Sequence, residues 1–172
     1  KQLDKKEQIN TNDFYYMLAN EYKKFAKFEL YEMHDEIDSY YFAKKALIII
    51  NQKRVFAENP SKWNINEDKL KILKLEYEMI TKMINNKEFL KYPKEFSKML
   101  LGFDCWIEQL EENWQVEDIK KCKDKYFMNL NSILNNKKQK LAKINKAKDK
   151  SISNNNSNLD HNVNDKITKS NS

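Results

Sequence analysis

The residues whose chemistry could define a site are two cysteines, two histidines and a short run of acids. Cys105 and Cys122 are the chain's only cysteines. The midpoint between them falls between Asn113 and Trp114, where the pattern breaks between two helical stretches. If those helices fold back on each other, the cysteines lie level across the hairpin, each about 13 Å from the turn at 1.5 Å rise per residue. Thiols level across a seam are within bridging reach, so the geometry favours a disulfide worth about 3 kcal/mol for a closed loop of this size. The competing reading is two buried thiols in a reducing cytosol. A metal centre of Cys and His is excluded, because both ligand count and spacing fail.

His34 sits in Glu32-Met-His-Asp-Glu36, with Asp38 close by; His161 lies in the C-terminal tail. A di-iron site would need Glu-x-x-His on two helices, and neither copy exists. At a helix C-terminus His34 reads as a dipole-capping residue rather than a metal ligand. Glu108, Glu111 and Glu112 form an acidic run that reads as a solvated helix face. Gly102 is the only glycine, which argues against phosphate-cradling loops, dinucleotide folds and nucleophile elbows. The pattern offers no catalytic residue, no cofactor loop and no metal set, so the expectation is a non-enzyme without a cofactor.

Charge narrows the partners. The net charge is +6, yet residues 1–135 hold 23 basic and 23 acidic side chains. The excess is confined to residues 136–172, with nine lysines against three aspartates. Arg54 is the only arginine, and nucleic-acid readers need basic groups clustered on a folded surface. No nucleic-acid partner is expected for the folded part. The longest apolar run, Ala46–Ile50, is far short of the roughly 20 residues a membrane-spanning helix needs.

The elements that must position these residues are helices. Asn12-Asp13 supplies capping chemistry, and Phe14, Leu18, Tyr22, Phe25 and Phe28 recur at helical spacing. This predicts a first helix from about Asp13 to Met33. A polar interruption at Asp35–Ser39 precedes Tyr40–Asn51, a second helix or a continuation of the first after a bend. Residues 52–66 read as a loop in which Trp63 plugs the core, and Asn64 with Glu67 resembles a capping box for the third helix. Pro93 opens a fourth helix whose Phe96, Leu100, Phe103, Ile107 and Leu110 line one stripe. The fifth starts at Glu117-Asp118 and carries Ile119, Cys122, Tyr126, Leu130 and Ile133. About five helices with short connections predict an all-α antiparallel bundle or stacked helical hairpins, with a tetratricopeptide-like pairing as one form. The expected divisions are a flexible segment at 1–12, a helical domain at 13–135, and a basic helical extension with a disordered tail or linker at 136–172.

Gly102-Phe-Asp-Cys-Trp-Ile-Glu-Gln-Leu-Glu-Glu-Asn-Trp-Gln115, followed by Asp118-Ile-Lys-Lys-Cys122, resembles the N-terminal helical region of Gram-negative OmpA-family outer-membrane lipoproteins. Leu18-Ala-Asn-Glu-Tyr22, Asp38–Leu47 and Pro60-Ser-Lys-Trp63 are similar to that family's opening helices and loop, so the likeness spans about residues 15–130. The resemblance implies a periplasmic or outer-membrane-associated module with both cysteines paired. Peptidoglycan would be bound only through a C-terminal OmpA-like domain, which this sequence does not contain, and the tail then reads as a linker toward one. The sequence also departs from the family in having no lipidated N-terminal cysteine.

The leading expectation is therefore a non-catalytic spacer or docking module that meets an envelope protein, with Trp106 and Trp114 as weak contact candidates against a competing fate in the core. The alternative is a cytosolic helical adaptor whose basic tail touches nucleic acid or acidic membrane.

Overall fold

With so little glycine, the chain has to end its helices on other residues. In the computed structural model, which describes residues 13–113 and 115–167 with side chains as far as Lys146, three helical segments stop on a left-handed residue. These are His34, Lys53 and Asn113, at φ 59°, 52° and 55°. Each takes the position where glycine is commonest. Lys87, at φ 53°, enters a one-turn 3₁₀ segment in the same way. Helix starts use short polar side chains instead. Asp13, Asp35 and Asn66 each accept a backbone N–H from the first turn of the helix that follows, at 2.9–3.0 Å.

The elements are α1 (Phe14–Phe28), a π-helical turn (Glu29–Met33), α2 (Glu36–Gln52), a 3₁₀ turn (Pro60–Lys62), α3 (Glu67–Asn85), a 3₁₀ turn (Glu88–Leu90), α4 (Pro93–Glu112) and α5 (Val116–Ile167). No strand occurs among the described residues, and the fold is an all-α helical bundle. Two boundaries differ from the sequence reading. Asp35–Ser39 is not an interruption: Asp35 caps α2, whose first turn is Glu36–Ser39. Asn66, not Asn64, caps α3, while the Asn64 N–H donates to Glu111 Oε1 at 2.8 Å.

α1 and α2 form an antiparallel hairpin. Asp13 at the head of α1 meets Lys53 at the foot of α2, and Phe42 packs on Tyr22 and Phe25 in between. α1 and α4 run parallel in constant register. Phe14 meets Phe96, Tyr22 meets Asp104, and Met33 meets Gln115, each pair 82 residues apart. α4 and α5 form the second antiparallel hairpin, about Asn113. α3 lies against α5, where Tyr126 donates to Glu76 Oε2.

α4 sits at the centre. The sequence suggests a stripe, but every residue from Leu101 to Leu110 is buried, as expected for a helix packed on all sides. Trp106 is part of that core, against Tyr126 and Phe127, and is not an exposed contact residue. Trp63 fills the loop side as expected, edge-on to Tyr41.

The chain divides into two compact units, Lys1–Ile133 and Leu134–Ser172. Among the described residues the core lies in the first. The second includes the C-terminal part of α5, and its side chains at 138–146 are exposed. The expected flexible segment at 1–12, Trp114, and the side chains beyond Lys146 of the expected extension and tail lie outside the described residues.

The sole glycine is required by contact. A Cβ on Gly102 would stand 2.6 Å from the Tyr126 backbone nitrogen and 3.0 Å from its Cα. Backbone cannot swing aside as a side-chain tip can. Gly102→Ala should therefore cost about 1–3 kcal/mol, read by urea denaturation, through forced separation of α4 and α5. An unchanged midpoint would contradict this close approach.

Candidate functional site

α4 presents three chemically different groups in succession, because neighbouring residues on a helix point about 100° apart. Asp104 faces α1, α2 and the loop after α2. Cys105 and Trp106 face α5. One turn further on, Glu108 reaches the corner where the π turn meets the end of α4.

Asp104 is fully buried and Lys45 is 3% exposed, yet both carry ionisable groups. Their surroundings account for this. Lys45 Nζ donates to Asp104 Oδ2 at 2.6 Å and to Glu58 Oε1 at 2.5 Å. The ammonium also lies 4.3 Å from the centre of the Phe56 ring and 5.1 Å from that of Tyr22, a cation–π environment. The Tyr22 hydroxyl donates to Asp104 Oδ2, and the Glu58 N–H donates to Asp104 Oδ1 at 2.9 Å. The Tyr41 hydroxyl closes the set on Glu58 Oε2 at 2.7 Å.

All four carboxylate oxygens have donors, the condition under which a buried polar network is stable. It carries one cation against two carboxylates. Burial raises the Asp104 carboxyl, Lys45 lowers it and Glu58 raises it again, leaving it at about 6. Burial and then the Asp104 charge push the Tyr22 hydroxyl well above its ordinary value, so it stays a donor.

Cys105 and Cys122 pair across the α4–α5 seam with Cα atoms 5.5 Å apart, inside the usual disulfide range. The level register expected from the sequence is thus present. Gly102, one turn before Cys105, sets the short helix separation that this span needs.

The acidic run is the main correction. Glu108 is 1% exposed and is not part of a solvated face. It shares its corner with Glu29, the first residue of the π turn, which is fully buried. Neither Glu29 oxygen has a hydrogen-bond partner, nor does Glu108 Oε1, whereas Glu108 Oε2 accepts from Gln109 Nε2 at 3.0 Å. Burial first, then Glu112 and Asp38, raise the Glu29 carboxyl to about 8; burial first, then Glu29, raise Glu108 to about 9. His34 closes the π turn through its backbone, donating its N–H to the Glu29 carbonyl. No group of three or more His, Cys, Asp or Glu side chains among the described residues is arranged to hold a metal. Beside this corner, Asn64, Asn66, Lys69, Glu111, Glu112 and Asn113 line an open polar cleft of about 290 Å³.

Comparison of the chain with family models, with curated proteins and with solved structures finds no match.

The sequence reading missed Lys45, Glu58, Asp104 and Glu29. A usable signal existed for two of them. Lys45 shares a helix face with Phe42 and Ile49, and Asp104 interrupts an apolar run from Met99 to Ile107. A charge on a core face implies an opposite charge facing it.

Lys45→Met leaves Asp104 and Glu58 facing each other without their cation. The expected loss is about 3–5 kcal/mol near neutral pH. Lys45 lowers the buried Asp104 carboxyl, so in that variant its folded value rises further above the ordinary one. The deficit should therefore shrink as pH falls toward 5, below the folded value of about 6, where the Asp104 carboxyl is protonated in the fold of both proteins. Urea denaturation at pH 7.5 and pH 5 checks it, and an equal deficit at both would refute the ionic account.

Proposed function

We propose that the chain is a non-catalytic, periplasmic helical module of an OmpA-family cell-envelope protein, serving as a docking domain. The observation that carries this reading is the Cys105–Cys122 pair, level across the α4–α5 hairpin at a Cα separation suited to a disulfide. Structural disulfides persist in oxidising compartments such as the periplasm and are rare in the cytosol. The pair falls inside the stretch from Gly102 to Cys122 that resembles the lipoprotein family. No helix among the described residues is long and apolar enough to cross a membrane, in keeping with a module held beside one.

Docking is favoured over a plain spacer by the α1–α2 elbow. Between residues 30 and 41 it exposes Leu30, Tyr31, Ile37, Tyr40 and Tyr41. Exposed aromatic and aliphatic residues gathered on one segment are the usual material of protein contacts. Glu32 and Glu36 are exposed among them, which suits an envelope protein with a basic and apolar face. Peptidoglycan contact, on this reading, belongs to an OmpA-like domain elsewhere in the full protein.

Intact mass of protein exported to the periplasm, measured with and without alkylation under non-reducing conditions, tests the compartment. The expected result is a mass two hydrogens below the reduced value, no alkylation, and a linked Cys105–Cys122 peptide. Two freely alkylated thiols in folded protein would overturn the proposal. They would favour the cytosolic adaptor, whose basic tail should then show salt-sensitive binding to nucleic acid or acidic vesicles.

A further inference from the structure

Acidic side chains converge on the corner below the elbow from four elements. The π turn brings Glu29, and α2 with its cap brings Asp35 and Asp38. The end of α4 brings Glu108, Glu111 and Glu112, and the start of α5 brings Asp118. Two lysines stand at the corner's edges. Lys121 Nζ bonds Asp118 at 2.8 Å with its own side chain in solvent, and Lys69 lines the open cleft beside Glu111 and Glu112. At the centre, the fully buried Glu29 and almost fully buried Glu108 keep three carboxyl oxygens without a donor, and the neighbouring Gln109 Oε1 lacks one as well. Every one of these orphaned atoms is an acceptor. A carboxyl group without a donor is far less costly to bury neutral than ionised.

Glu29 also holds the elbow together through its backbone. Its carbonyl accepts the His34 N–H and, at 2.8 Å, the Asp35 N–H, and these two bonds close the π turn and lead into the cap of α2. The side chain that must shed charge and the carbonyl that fixes the turn belong to one residue. π turns are uncommon and gather at functional positions.

We propose that the α1–α2 elbow is a proton-controlled hinge, closed while Glu29 and Glu108 hold protons in the buried corner and loosened when those protons leave. Ionising either group places charge beside Asp38 and Glu112, while the buried ammonium of Lys45 is held by Asp104 and Glu58. The hinge follows from the corner itself, whether or not the exposed elbow docks a partner.

The direction of the effect is opposite to ordinary acid unfolding. Unfolded glutamates ionise near 4.5, whereas the folded chain keeps the Glu29 and Glu108 protons to about 8 and 9. Their contribution is fully present below 4.5 and is drawn down as pH rises toward 9. The two titrate as one coupled pair.

The test uses the full chain, its Glu29→Gln and Glu108→Gln variants and the double variant. Thermal midpoints are measured from pH 5 to 10, and amide hydrogen exchange at pH 6 and 9 is corrected for its intrinsic pH dependence. In the wild type the midpoint should fall from pH 5 to about 9 and level off above. Amides in 29–38 should exchange at least about tenfold faster at pH 9 than at pH 6, as local opening of the turn becomes easier. The double variant should lose most of both effects. A flat wild-type profile, or the same slope in the double variant, would overturn the hinge. Should the variants fail to fold, carboxyl carbon NMR of the wild type decides. Titration of Glu29 and Glu108 above pH 7 supports the proposal, and midpoints near the ordinary value overturn it.

Discussion

The ammonium of Lys45, held between Asp104 and Glu58, is the interaction on which the arrangement of the bundle depends. It joins α2 to the central helix and to the loop after α2, while Tyr22 brings in α1 through the same Asp104 oxygen. Before its 3₁₀ turn at Pro60, that loop has no helical segment to fix it. The Glu58 N–H on Asp104 gives its backbone a place against the core. Hydrophobic burial supplies most of the driving force for such a bundle, but it is nondirectional. Charges that find partners in only one arrangement fix how α1, α2, the loop and α4 meet.

The same helix carries the opposite solution one turn later. Asp104 has its cation and a donor at both oxygens. Glu108, four residues on, faces a second carboxyl and no cation. A bundle this small could have placed an apolar residue at either position. Keeping one compensated and one uncompensated acid on the buried stretch of α4 gives the molecule a rigid end near Lys45 and an end at the elbow whose packing depends on protons. The exposed Tyr31, Ile37 and Tyr40 lie at that second end. A contact surface and a pH-sensitive turn therefore share one short segment.

Much of the fold is legible because helices announce themselves by period. The 3.6-residue recurrence from Phe14 to Phe28 and from Leu70 to Ile84, and the break at Asn113, place α1, α3 and the second hairpin within a few residues. The level register of Cys105 and Cys122 follows from that break alone. What stays hidden needs knowledge of a partner distant in sequence. Lys45 and Asp104 are 59 residues apart, so the apolar surroundings of each signal a buried charge without saying which partner meets it. Glu108 reads as solvated because it shares a run with Glu111 and Glu112, while the angular step of the helix turns Glu108 inward. Asn64 and Asn66 are equally good caps by type, and only the path of the loop assigns Asn66 to the helix. The stripe on α4 is real but too narrow, since neighbours on every side cannot be read from one helix's own pattern.

The most direct test of the ionic clamp is a double-mutant cycle with Lys45→Met and Asp104→Asn, each variant measured by urea denaturation at pH 7.5. The cycle removes the separate costs of each change and reports the energy of the pair itself. The account predicts a coupling of about 2–3 kcal/mol, with the double variant recovering a large part of the single-variant losses. Additive losses, with a coupling below about 0.5 kcal/mol, would contradict it. The bundle would then be held by apolar packing alone.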